Sequence, residues 1–222
     1  MSPLRVRIAF DVVCPWCFIG EHRFSQAIAT RPDVFPIVER LPYLLHPELT
    51  TSMPRDELLE RKFGSKRAVQ GMHDRLEKIG RDLGVEFDFD AIEMVPNTVP
   101  AHALVKWSAD AGCGVDVIAR LYSAYFCEGR DIGRIPVLTD IAHDAGMDPD
   151  DVRERLLAER DFRAVRDAAD MVRRAGISGV PFFVFGDHLA VQGAQPESAF
   201  ANIIERVSGP ASTQLRVAAN WN

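Results

Sequence analysis

Arg5-Val6-Arg7-Ile8-Ala9-Phe10-Asp11-Val12-Val13-Cys14-Pro15-Trp16-Cys17-Phe18-Ile19-Gly20 lies near the start of this 222-residue chain. From Arg5 to Val12 the apolar residues alternate, with Val6, Ile8 and Phe10 on one side, and this predicts a β-strand. The strand runs directly into Cys14 and Cys17, and Phe18 to Ala29 suits a helix. The cysteine pair therefore falls where a strand gives way to a helix. Pro15 fits the first helical turn, because its missing N–H would have no intrahelical partner there.

Working outward, a second extended stretch, Ile37 to Leu45, follows the turn at Arg31 to Pro36, so the opening unit is β-α-β. The far end of the chain reads as its counterpart. Phe182 to Phe185 is a short apolar strand, Gly186-Asp187 a hairpin turn, Leu189 to Gln192 a second strand, and Pro196 to Val207 a closing helix. Between the two ends, from about Pro54 to Gly176, the character is helical. One helix is predicted over Arg55 to Leu83, ending before Gly84. Another starts with Asn97 or Thr98 as N-cap and carries Ala101, Leu104 and Val105 on one face. A third runs from Asp116 towards Cys127, and more follow after Pro136, Pro149 and Arg160. The expected fold class is α/β, with 1–50 and 177–208 building one sheet-containing domain, 51–176 an inserted all-helical domain, and 209–222 a C-terminal tail.

Composition narrows the function. Hydrophobic residues make up 47% and charged residues 26% of the chain, the balance of a globular protein. A net charge of −6 argues against a nucleic-acid partner, whose phosphates call for a basic stripe. No apolar run approaches the roughly 18 residues of a membrane span. No export signal follows Met1, so the cytoplasm is the expected address.

Four cysteines, Cys14, Cys17, Cys113 and Cys127, are too few and too unevenly spaced for a disulfide scaffold. At a strand-to-helix junction the first thiol of a Cys-x-x-Cys meets unpaired N–H groups and the positive end of the helix dipole. Both favour the thiolate, the reactive form, and make Cys14 the nucleophile. Cys17, one turn later on the same face, can resolve a mixed disulfide. The competing reading is half of a zinc site, but the six histidines offer no closely spaced second pair of ligands. No metal is expected. Cys113 and Cys127 read as structural thiols, with their pairing left open. Gly179-Val180-Pro181 precedes the strand Phe182 to Phe185, a position where proline costs no ladder hydrogen bond. The residues by themselves leave its isomer open.

Taken together, Cys14-Pro15-Trp16-Cys17 after a strand, the long helical insertion and Gly179-Val180-Pro181 before a hairpin resemble the DsbA family of thioredoxin-fold proteins, and within it the FrnE-like branch. Further matches are Asp11, Phe18-Ile19-Gly20, Asn97-Thr98 with Ala101-His102, Phe126-Cys127-Glu128-Gly129 with Asp131-Ile132-Gly133, and Gly193-Ala194-Gln195-Pro196. The resemblance covers nearly the whole chain. It implies a thioredoxin-like fold with β-α-β and β-β-α halves and a large helical insertion. It also implies a cis Val180–Pro181 bond beside the cysteines, with the Val180 backbone free to bond an extended substrate. Pro15, Trp16, Val180, Pro181, Asn97, Thr98, His102 and Gln195 are then the substrate-side residues. An N-cap role for Asn97 or Thr98 and a packed His102 are equally good readings.

The function implied is thiol-disulfide exchange without a cofactor, on protein or small-molecule thiols and disulfides. Two alternatives compete. Glutathione-dependent relatives, the 2-hydroxychromene-2-carboxylate isomerases and kappa-class transferases, share the layout. They typically carry a catalytic serine and a Gly-x-Asp-Arg motif, where this chain has Cys14 and Gly193-Ala194-Gln195. A redox-switched peptide-binding protein is the other. The apolar faces of the insertion suit a homodimer or a substrate groove equally.

Overall fold

The computed structural model describes residues 4–63, 66–187 and 189–208; the expected tail, 209–222, lies outside them. Strand β1 (Arg5–Phe10) leads to helix α1 (Pro15–Ala29) and strand β2 (Ile37–Pro42). Near the other end come β5 (Phe182–Phe185), β6 (Leu189–Gln192) and α9 (Glu197–Ser208). These four strands form one sheet in the order β2-β1-β5-β6. β1 and β2 are parallel, Arg5 opposite Ile37. β1 and β5 are antiparallel, Ala9 opposite Phe182, and β5 and β6 form the hairpin.

Val6, Ile8 and Phe10, the face expected to be apolar, are all buried. Ala9 on the opposite face is buried too, because β1 is an inner strand. The hairpin turns at Gly186, whose φ of 59° is one that glycine adopts without steric cost. α1 and α9 pack together through a knot of rings: Phe200 lies 5.8 Å from Phe24 and 4.7 Å from Phe183, both edge-on. On its other side, α1 is tied to β2 by a largely buried ion pair, Arg40 Nε to Glu21 Oε1 at 3.1 Å and Nη2 to Oε2 at 2.9 Å.

This sheet belongs to a compact unit made of the described residues up to Tyr43 and from Ala168 to Ser208; the second unit lies within Leu44–Asp167. The division comes several residues before each boundary expected from sequence, and its second cut falls inside helix α8 (Phe162–Arg174). The second unit holds β3 (Met53–Pro54), α2 (Arg55–Phe63), α3 (Lys66–Leu83), β4 (Met94–Val95), α4 (Val99–Asp110), α5 (Gly114–Phe126), α6 (Ile135–Asp144) and α7 (Pro149–Leu157). The single helix predicted over Arg55 to Leu83 is thus two elements. The β3–β4 pair, Met53 opposite Val95, was not expected, since two residues are too few to show alternation.

Local rules account for the start of α7. Asp148 caps α7 by accepting from the Asp150 and Asp151 amides, as a short carboxylate at an N-cap does. His73 stacks on Phe89 at 4.4 Å and meets Arg55 Nη2 through Nε2 at 2.7 Å. Burial and the Arg55 charge hold its pKa below the usual imidazole value, so the ring accepts this hydrogen bond in its neutral form. Among the described residues, no helix is long and apolar enough to cross a membrane.

Phe200 is fully buried, so Phe200→Ala is expected to lower stability by about 3–5 kcal/mol. Chemical denaturation checks this; a loss below about 1 kcal/mol contradicts the packing described.

Candidate active site

After Phe10, the chain leaves β1, turns through Asp11 to Val13 and enters α1 at Pro15. The turn is closed by the Cys14 amide donating to Asp11 O at 3.1 Å. Cys14 is the N-cap, with extended backbone (φ −96°, ψ 110°), and its carbonyl accepts from Cys17 N at 3.0 Å and Phe18 N at 3.2 Å. Its side chain makes no capping bond. Instead the thiol donates to Val180 O at 3.7 Å, across 166 positions of sequence.

The Val180–Pro181 bond is cis. Pro181 O accepts from Gly193 N at 2.8 Å, which extends the β5–β6 ladder by one step and holds the turn 179–181 beside the turn 193–195. Gln195 braces the second turn, its amide nitrogen donating to Gln192 O at 2.8 Å and its backbone N–H to Gly193 O at 2.9 Å.

The two thiols differ in surroundings. Cys14 is 4% exposed, Cys17 not at all, and both are free thiols. Burial pushes the Cys17 thiol well above its ordinary pKa. Its hydrogen bond to Cys14, the Cys14 charge and the charge of Asp11 push the same way, against a backbone hydrogen bond from Asp11. Cys17 is therefore held protonated at neutral pH, one helical turn behind Cys14. Among the described residues, no three His, Cys, Asp or Glu side chains gather into a metal-holding group.

The structure brings Cys14, Pro15, Trp16 and Cys17 together at the head of α1, with Val180 and Pro181 against them and Gln195 in the adjoining turn. Asn97, Thr98 and His102 belong to the other unit. There the Asn97 side chain accepts from Val99 N at 3.1 Å and donates to Thr50 O at 3.1 Å. Thr98 is the α4 N-cap without a side-chain bond, and Thr98 and His102 are both buried. Cys113 and Cys127 flank α5 at its two ends. A rise of about 1.5 Å per residue separates them by roughly 20 Å, so they do not pair within one chain.

Sequence reading passed over Gly20 and Arg23 as site residues. Gly20 packs against Pro181, and Arg23 Nη1 donates to Ala194 O at 2.9 Å. A glycine inside a strongly predicted helix was the available signal.

A family model of the DSBA-like thioredoxin domain matches residues 5–205. The chain belongs to the DSBA-like thioredoxin domain family. The uncharacterized Bacillus subtilis protein YwbO is 27% identical over 203 residues, 90% of this chain and 96% of its own. The crystal structure of a probable DsbA oxidoreductase from Streptomyces coelicolor matches with a TM-score of 0.84 at 27% identity, over 98% of this chain and 94% of that one. The cytosolic disulfide reductase DsbM from Pseudomonas aeruginosa, in its structure with GSH, matches with a TM-score of 0.65 at 20% identity, over 92% and 99%. At that identity the likeness is one of fold. The DSBA-like, thioredoxin-type arrangement expected from the sequence is thus the fold of this protein.

A thiol whose folded pKa lies above its unfolded one contributes stability below the unfolded value and loses it as pH rises through the folded value. Cys17 should accordingly stay unmodified by iodoacetamide at neutral pH while Cys14 reacts, and become reactive only above the ordinary thiol range. Mass-spectrometric mapping that finds Cys17 alkylated ahead of Cys14 contradicts this assignment.

Proposed function

We propose that this DSBA-like protein, of the FrnE-like branch, is a thiol-disulfide oxidoreductase working through Cys14 and Cys17 on protein or small-molecule disulfides. The observation that carries the reading is the Cys14 thiol at the head of α1, hydrogen-bonded to the carbonyl that precedes a cis proline, with Cys17 buried one turn behind it.

The steps balance as a two-electron exchange. The Cys14 thiolate attacks one sulfur of a substrate disulfide, forming a mixed disulfide, and the other substrate sulfur leaves as a thiolate and takes up a proton. Cys17 then loses its proton and attacks Cys14 Sγ; the second substrate thiol departs and a Cys14–Cys17 disulfide remains. The same steps reversed oxidise a substrate dithiol. The raised pKa of Cys17 fits this order, since a resolving thiol that is protonated until needed does not compete with Cys14 for substrate. The backbone of Val180, beside the nucleophile, is where an extended substrate segment would dock.

Equilibration across glutathione redox buffers, followed by thiol trapping and mass spectrometry, is expected to give one reversible two-electron transition linking Cys14 to Cys17, whose midpoint fixes the direction of electron flow. Cys14→Ser abolishes exchange and Cys17→Ala accumulates a mixed disulfide on Cys14. A Cys14 that collects only a glutathione adduct, with no Cys14–Cys17 bond at any potential, shifts the reading to glutathione-linked chemistry.

A further inference from the structure

Gly20 lies on α1 three residues beyond Cys17. A Cβ placed there would meet Pro181 Cγ at 2.9 Å, Phe183 Cζ at 3.4 Å and Ala194 Cα at 3.6 Å. The first approach is closer than carbon atoms pack, and it falls on a proline ring that has little freedom to yield. Glycine inside a helix is disfavoured relative to alanine by roughly 0.5–1 kcal/mol, so a buried one needs a packing reason, and the Pro181 ring supplies it. Three residues further on, and so on the same face, Arg23 Nη1 donates to Ala194 O at 2.9 Å. The two turns that meet this face are themselves joined, Gly193 N to Pro181 O at 2.8 Å.

We infer that Gly20 and Arg23 are positioning residues, which together seat the Val180–Pro181 turn and the Gly193–Gln195 turn on α1 and so set where a peptide backbone docks relative to the Cys14 sulfur. This rests on the reading of Cys14 as nucleophile and adds a division between substrates. A peptide disulfide is held at two points, its sulfur on Cys14 and its backbone on Val180. A small disulfide needs only the first. Displacing the turn from α1 therefore penalises peptides selectively.

Pre-reduced full-length protein is followed in single-turnover reactions with a disulfide-bonded peptide and with hydroxyethyl disulfide, each over a range of concentration. In Gly20→Ala the ratio of the peptide rate constant to that for the small disulfide is expected to fall about tenfold, the scale of one docking hydrogen bond. The loss should appear in the half-saturation concentration rather than the limiting rate. Arg23→Met lowers the same ratio by a smaller factor, and Arg23→Lys, which keeps a donor, recovers part of it. An unchanged ratio in both Gly20→Ala and Arg23→Met overturns the positioning role, whatever happens to the absolute rates. If circular dichroism shows Gly20→Ala unfolded, the Arg23 pair decides alone. Wild-type protein that reacts with neither disulfide refutes the nucleophile reading instead.

Discussion

The antiparallel register of β1 and β5 is the constraint on which the site depends. With Ala9 opposite Phe182, the segment leaving the C-terminal end of β1 and the segment entering the N-terminal end of β5 must lie side by side. The first carries Cys14, the second Val180 and Pro181. Two stretches separated by 166 positions are thereby brought to a 3.7 Å contact. A slip of one residue would turn every side chain of β5 to the other face, taking Phe183 and Phe185 out of the core in which they are buried. Packing of those rings against Phe24 and Phe200 thus holds the register, and the register holds the site.

Two identical side chains lie in different surroundings at this site. Cys14 is an N-cap residue that does no capping; Cys17 lies inside the helix and inside the protein, where desolvation keeps it protonated. The core places Cys17 where charge is penalised.

The helical unit shows how local signals divide structural from chemical roles. Asn97, read from sequence both as an N-cap and as a substrate contact, spends its side chain on Val99 N and Thr50 O. Cys113 and Cys127, separated by the length of α5, are individual thiols. His73, which carried no sequence signal, is held neutral between Phe89 and the Arg55 guanidinium.

Much of this was legible in the residues. Alternation gave β1, short apolar stretches beside turn residues gave β2 and β5, Gly186-Asp187 gave the hairpin, and the cysteine pair was placed where β1 gives way to α1, because each signal is carried by neighbours in sequence. The FrnE-like resemblance extended this to Pro181. The two-residue β3–β4 pair and the division of the Arg55–Leu83 helix were not legible, being too short or too local for periodicity to register. Tertiary structure alone decided how deeply each thiol is buried, what the Cys14 thiol bonds to, and what a side chain at Gly20 would meet. These depend on contacts between residues more than 150 positions apart, such as Gly20 with Pro181 and Arg23 with Ala194, and a chain specifies such contacts only once its strands have paired.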